Sequence, residues 1–195
     1  MSTIAVFLAD GFEEVEALTP VDYLRRAGAE VITVGVVGKV FEKTLIVNGS
    51  HNIPVIADIC FEEYLEKYGK TLPDAVFCPG GLKGSNNLAA TEKLLKHIED
   101  CNAAGKLVSA ICAAPSLVLG KTNVMKGKKW TCYPGMAEDS NKEYVPDYSD
   151  EVFITDGNIV TGRGAGAAEQ FAMELVRILQ GADTAKKVHD GTVQR

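Results

Sequence analysis

Cys112 is the residue whose type and surroundings best suit it to act as a nucleophile. It follows Lys106-Leu107-Val108-Ser109-Ala110-Ile111, an apolar run that reads as a strand, and opens Ala113 to Leu119, which reads as a helix. A thiol at a helix start meets unpaired N–H groups and the positive end of the helix dipole, and both favour thiolate. The small residues Ala110, Ala113 and Ala114 allow the sharp strand-to-helix turn of a nucleophile elbow. Pro115 fits the first helical turn, where its missing N–H costs little. The competing reading is an inert core thiol, since free cysteine is among the most buried residue types.

Two other segments offer what a thiol catalyst needs. Gly80 and Gly81, after Pro79, can bring bare backbone N–H groups close to a ligand and stabilise developing negative charge. The Ala113 amide, one residue past the thiol, is the other natural donor. The acidic turn from Asp10 to Glu16 supplies carboxyls, and one of them could exchange a proton with sulfur if burial raised its pKa. On spacing alone, Glu16 reads first as an exposed first-turn charge and second as a catalytic acid.

The elements that must position these loops alternate strand and helix. Thr3 to Ala9 is a buried-type strand turned by Asp10-Gly11. A helix from about Phe12 to Ala27 follows, with a kink expected at Pro20 and Gly28 as its terminator. Glu30 to Val37 is a second strand, and Phe41 to Ile59 reads as short strands broken at Asn48-Gly49. Asp74 to Cys78 is another buried strand, Thr91 to Ala104 an amphipathic helix, and Lys129 to Tyr133 a strand. A hairpin turned by Asp156-Gly157, a helix from Ala165 to Leu179 and a helical tail near Ala182 to Val188 complete the chain. Such alternation implies a mostly parallel sheet covered by helices on both faces. In that architecture the three loops lie at the carboxyl ends of strands, on one edge, where ligands bind.

The 195 residues, with a formal charge of −6, 46% hydrophobic and 24% charged, suit a single soluble domain over 1–195. The charge argues against a nucleic-acid partner. No apolar run approaches the roughly 18 residues that span a membrane. The start lacks the features of a secretory signal, so a cytoplasmic protein is expected. The five cysteines form no close pairs, which argues against a disulfide framework or zinc knuckle.

Gly162-Arg163-Gly164-Ala165-Gly166-Ala167 nearly spells a dinucleotide fingerprint, but no further strand with an acidic end follows, so nicotinamide binding is rejected. The segment is expected to permit close helix–sheet packing, with Arg163 bonding to nearby backbone. The histidines are His51, His97 and His189. His97 reads as a surface residue, the other two lie far from the thiol in sequence, and no base for a Cys-His-Asp triad is evident. Spacing gives no metal site.

Taken in order, Ala9-Asp10-Gly11-Phe12-Glu13-Glu14-Val15-Glu16, Pro20-Val21-Asp22, Arg25-Arg26-Ala27-Gly28, Pro79-Gly80-Gly81, Ala110-Ile111-Cys112-Ala113-Ala114-Pro115 and Thr161-Gly162-Arg163-Gly164 resemble the ThiJ/PfpI superfamily, specifically its parkinsonism-associated branch. The resemblance covers essentially the entire chain. It implies a flavodoxin-like sandwich, usually a homodimer; no cofactor or metal is expected. It implies Cys112 as a low-pKa nucleophile, Glu16 as its protonated partner, and the amides of Gly81 and Ala113 as an oxyanion-type pocket. Gly80 lies on the same loop, and His51, Tyr133 and Arg163 are secondary pocket candidates.

Relatives in the branch are glutathione-independent glyoxalases acting on methylglyoxal, protein deglycases, and oxidative-stress sensors or redox-regulated chaperones. An older association with thiazole biosynthesis stays open. Ala113 stands where peptidase relatives carry histidine, which tells against proteolysis. Tyr133 precedes Pro134 where some relatives have histidine, and His51 stands in place of an arginine of the dimer-side pocket. The leading expectation is a thiol-dependent enzyme acting on small α-oxoaldehydes or their adducts. The alternative is a sensor in which Cys112 is oxidised to sulfinate.

Overall fold

The computed structural model describes residues 1–37, 39–41 and 44–194, with side chains described outside 37–44. In chain order its elements are β1 (Thr3–Ala9), α1 (Glu14–Arg26), β2 (Glu30–Val37), β3 (Lys39–Phe41), β4 (Thr44–Asn48), β5 (Pro54–Ile56) and β6 (Ile59–Cys60). There follow α2 (Phe61–Tyr68), β7 (Ala75–Cys78), α3 (Leu82–Ala89), α4 (Glu92–Ala103), β8 (Leu107–Ile111) and α5 (Ala114–Leu117). The chain continues through β9 (Phe153–Asp156), β10 (Ile159–Gly162), α6 (Ala168–Gln180) and α7 (Ala182–Gly191).

The strand order β6-β2-β1-β7-β8-β10-β9 forms a seven-stranded sheet, and β3-β4-β5 a small antiparallel one. In the large sheet only β9 runs antiparallel, paired to β10. Alternate side chains of β1 enter opposite cores: Ala5, Phe7 and Ala9 join the layer of α2 and α4, while Ile4, Val6 and Leu8 join that of α1, α6 and α7. Both faces are therefore covered, and the architecture is flavodoxin-like. The chain leaves β1 toward β2 on one side and returns to β7 on the other. That reversal places a crevice beyond the ends of β1 and β7.

Several local expectations need correction. Phe12 bridges Gly49 instead of joining α1, and α1 runs unbroken through Pro20. The helix after Cys112 is four residues long and passes into a 3-10 turn at Leu119–Lys121. Lys129 to Tyr133 is not a strand. The Trp130 amide bonds Asp147 O and the Thr131 amide bonds Thr161 Oγ1, so these donors are taken by turns and a side chain rather than by a ladder. Helices α2 and α3 went unread in the sequence. Within the expected strands from Phe41 to Ile59, Glu42 and Lys43 lie outside the described residues.

Candidate active site

Cys112 sits at the end of β8 with φ of +64°, the left-handed region that non-glycine residues seldom occupy. Its neighbours hold it there: its amide donates to Gly162 O and its carbonyl accepts from the Tyr133 amide, both at 2.8 Å. Strain of this kind is kept where the surroundings over-determine the backbone. The turn leaves Cys112 partly exposed, whereas Cys78, Cys101 and Cys132 are buried.

Glu16, in the first turn of α1, is 1% exposed, so the exposed-charge reading is overturned. Its Oε2 accepts the Gly80 amide at 3.0 Å, the Ala165 amide also bonds the carboxyl, and its side chain hydrogen-bonds Cys112. Gly80 must lack a side chain: a β-carbon there would run into Glu16 Oε2 and lie 2.5 Å from Cys112 Cβ. Its amide, expected to face a ligand, is instead committed to Glu16. The donors on sulfur are the amides of Gly81 and Ala113. Gly81, with φ of +84°, turns the loop tightly enough to aim its N–H at the thiol.

Burial raises Glu16 most, the negative charge of Glu13 adds to it, and the bonds from Cys112, Gly80 and Ala165 oppose it, leaving the carboxyl at about 7. For Cys112, burial is again the largest cause, followed by the charge and hydrogen bond of Glu16; the Gly81 and Ala113 amides pull the other way, and the thiol is pushed up to about 12. The expected ionisation by backbone alone is thus corrected. A helix of four residues carries little dipole, and two amides do not outweigh burial beside a carboxylate. After burial, the charge of Glu16 is what most opposes a Cys112 thiolate, and a proton on Glu16 removes that charge.

His51 does not reach this pair. Its Nδ1 lies 2.8 Å from Glu14 Oε2, its amide donates to Glu14 Oε1 at 2.6 Å, and the Ser50 hydroxyl donates to Oε2 at 3.1 Å. Burial pushes Glu14 up, but the His51 and Ser50 bonds outweigh it and hold the carboxyl at about 2; the same contact raises His51. Glu14 is a buried anchor between α1 and the loop after β4 that the sequence reading did not single out. Glu13, Glu14 and His51 bring potential metal-ligand atoms within 4.8 Å of one another, yet both Glu14 oxygens already accept hydrogen bonds.

Tyr133 and Arg163 line a cavity of about 540 Å³ together with Gly164, Ala165 and Gln170. It adjoins Glu16 and Cys112 through the Tyr133 amide on Cys112 and the Ala165 amide on Glu16. Arg163 pairs with Asp150 at 3.1 Å through its guanidinium, and its own amide bonds Val152 O, so the expected backbone contact is not made by its side chain. A β-carbon on Gly162 would come within 2.8 Å of Ile111 and Phe171, the close packing expected, whereas Gly166 has open space. His97 is buried, not exposed: Tyr64 from α2 covers it, its hydroxyl 2.9 Å from Nε2. His189 lines another cavity of about 630 Å³ beside α6 and α7, which shares Gln170 with the first but none of Cys112, Glu16, Tyr133 or Arg163.

Residues 2–178 match the model of the DJ-1/PfpI family. Protein dj-1beta of Drosophila melanogaster is 34% identical over 95% of this chain and 94% of its own. The crystal structure of Drosophila DJ-1beta covers 100% of both chains with a TM-score of 0.89 and 32% identity. A protein named a deglycase in Pyrococcus abyssi is 29% identical over 91% of this chain and 99% of its own. A structure of oxidized DJ-1 from Toxoplasma gondii matches at 29% identity, with a TM-score of 0.87, over 100% of this chain and 99% of that one. The chain spans only 41% of a longer Arabidopsis thaliana relative, DJ-1 homolog B, at 32% identity over 97% of this chain.

Proposed function

This chain belongs to the DJ-1/PfpI family, and on that premise we propose that it is a cysteine-dependent, glutathione-independent glyoxalase or protein deglycase. Its substrates are methylglyoxal-type α-oxoaldehydes or the adducts they form on proteins. The observation that carries this reading is the pairing of buried Glu16 with the partly exposed Cys112 thiol, with two amides on the sulfur and a cavity beside it.

The thiol proton passes to Glu16, and the thiolate adds to the aldehyde carbon while the carbonyl π electrons move to oxygen. The Gly81 and Ala113 amides stabilise the negative charge, and Glu16 returns the proton to give a hemithioacetal. Glu16 then takes the proton from the former aldehyde carbon, leaving an enediol, and returns it to the neighbouring carbon. The hydroxyl proton on the first carbon passes to the neighbouring oxygen, so that the first carbon becomes the thioester carbonyl and the second carries the hydroxyl. The first carbon is oxidised and the second reduced, so no external oxidant enters. Water cleaves the resulting thioester, releasing lactate and restoring the thiol. A carboxyl at about 7 suits both directions of transfer near neutral pH.

Methylglyoxal turnover to lactate should fall about 100-fold or more in Cys112→Ala and in Glu16→Gln. Undiminished turnover in Cys112→Ala would end the proposal. Glycated model amines, assayed in parallel, distinguish deglycase from glyoxalase.

A second reading has its own support. Cys112 is partly exposed, faces amide donors that would receive sulfinate oxygens, and a similar protein has been captured oxidized. In that reading the chain senses oxidants or acts as a redox-regulated chaperone. Assembly as a homodimer in the cytoplasm belongs to both readings. The exposed apolar side chains of Val15, Ile53 and Leu82 beside the acidic turn support the dimer, and light scattering tests that part. Among the described residues no helix is long and apolar enough to cross a membrane.

A further inference from the structure

Glu13 stands between the helix that carries Glu16 and the loop that carries Gly80. As N-cap of α1 it accepts the Glu16 amide on Oε2 at 2.6 Å. Its own amide donates to Gly80 O at 3.0 Å, while the Gly80 amide donates to Glu16 Oε2 at 3.0 Å. The three bonds close a ring around the catalytic carboxyl. Gly81 lets the strands of this ring meet, since a β-carbon there would stand 2.7 Å from the Glu13 nitrogen. Helix N-caps are usually Ser, Thr, Asp or Asn, which cap with a shorter reach. A glutamate here adds a full negative charge on the same turn as Glu16.

We propose that Glu13 is a positioning residue for Glu16: its cap fixes the turn that aims Glu16 at Cys112 and sets a second carboxyl on that same turn. The proposal rests on the Cys112–Glu16 reading above and deepens it. The titratable groups acting on Glu16 are Cys112, from the elbow after β8, and Glu13, from its own helix; the loop after β7 and the turn before α6 contribute only the Gly80 and Ala165 amides. The charge of Glu13 raises Glu16, as a like charge should.

The test uses the full chain without substrate. Infrared difference spectra follow the protonated carboxyl band of Glu16 against pH, with Glu16→Gln assigning it, and iodoacetamide alkylation of Cys112 is timed in the same buffers. Glu13→Gln keeps an oxygen acceptor for the cap but loses the charge. It should lower the band midpoint by on the order of one pH unit and slow neutral-pH alkylation severalfold. Glu13→Asp keeps both cap and charge and should retain the parent midpoint. Should Glu13→Gln fold poorly, Glu13→Asn, an efficient uncharged cap, makes the same comparison. An unchanged midpoint in the folded uncharged variant overturns the proposal, and so does an equal fall in Glu13→Asp. Neither readout uses an aldehyde, so absence of methylglyoxal turnover and failure of this inference are separately visible.

Discussion

Gly80 donates its amide to Glu16 Oε2 at 3.0 Å, and the space where its side chain would be is filled by that carboxyl and by Cys112. The glycine therefore serves as the floor on which acid and thiol meet. Its importance comes from absent volume rather than from an unusual φ.

Gly80→Ala should leave a folded protein with an uncoupled pair. Overpacking of one methyl costs about 1–3 kcal/mol, measured by urea denaturation. Iodoacetamide alkylation of Cys112 at pH 7.5 should slow about tenfold or more. A variant that alkylates like the parent would show that the tight fit at Gly80 does not matter to the thiol.

The raised Glu16 carboxyl leaves a mark on stability. Its folded value of about 7 lies above the ordinary 4.5, so the folded state holds the proton more tightly than the unfolded one. Its contribution is fully present below about 4.5 and is lost as pH rises through about 7. The size is on the order of 3 kcal/mol. Stability of Glu16→Gln minus that of the parent should therefore rise across this window. A flat difference curve would contradict a raised carboxyl.

Glu14 should behave with the opposite sign. Its folded value of about 2 lies below 4.5, so its contribution is present above 4.5 and lost as pH falls toward 2. Glu14→Gln leaves donors from Ser50 and His51 unmet and should cost about 1–3 kcal/mol at pH 7 by denaturant unfolding. The deficit should close in acid. A constant deficit at all pH values would assign the effect to packing instead.

Tyr64→Phe removes the hydroxyl paired with the buried His97 ring and should cost about 1–3 kcal/mol. Burial lowers His97, so its contribution is present above 6.5 and lost as pH falls through the lowered value. His97→Leu should therefore resist mild acid better than the parent. Comparison of melting temperatures at pH 7 and pH 5 checks this.

If oxidation is part of the biology, mild peroxide should add two oxygens to Cys112 before the other cysteines change, read by peptide mass spectrometry. Cys60 is the informative control because it is also partly exposed and stands at a helix start, the N-cap of α2. Equal oxidation of the two would mean that exposure alone governs reactivity.

Much of the fold was legible because its signals are local. Val76, Phe77 and Cys78 announce a two-sided buried strand, Gly28 a helix end, and the Cys112 segment a sharp turn from strand to helix. Helices α2 and α3 escaped because each is only eight residues long, barely two turns over which a period can show. His97 was misread because its position on an amphipathic helix says nothing of Tyr64, a residue of α2 that covers it. Glu14 was passed over for the same reason: the loop that pins it arrives from β4.

By itself the amino-acid order determined the alternation of strands and helices and therefore which three loops share one edge of the sheet, since hydrophobic period and turn chemistry act over a few residues. Only the tertiary structure decided that Glu16 is buried, that the Gly80 amide belongs to it, and that the Cys112 thiol lies beside a carboxyl raised by burial. Those are matters of desolvation and contact between distant segments, and they exist only once α1, the loop after β7 and the elbow after β8 have packed together.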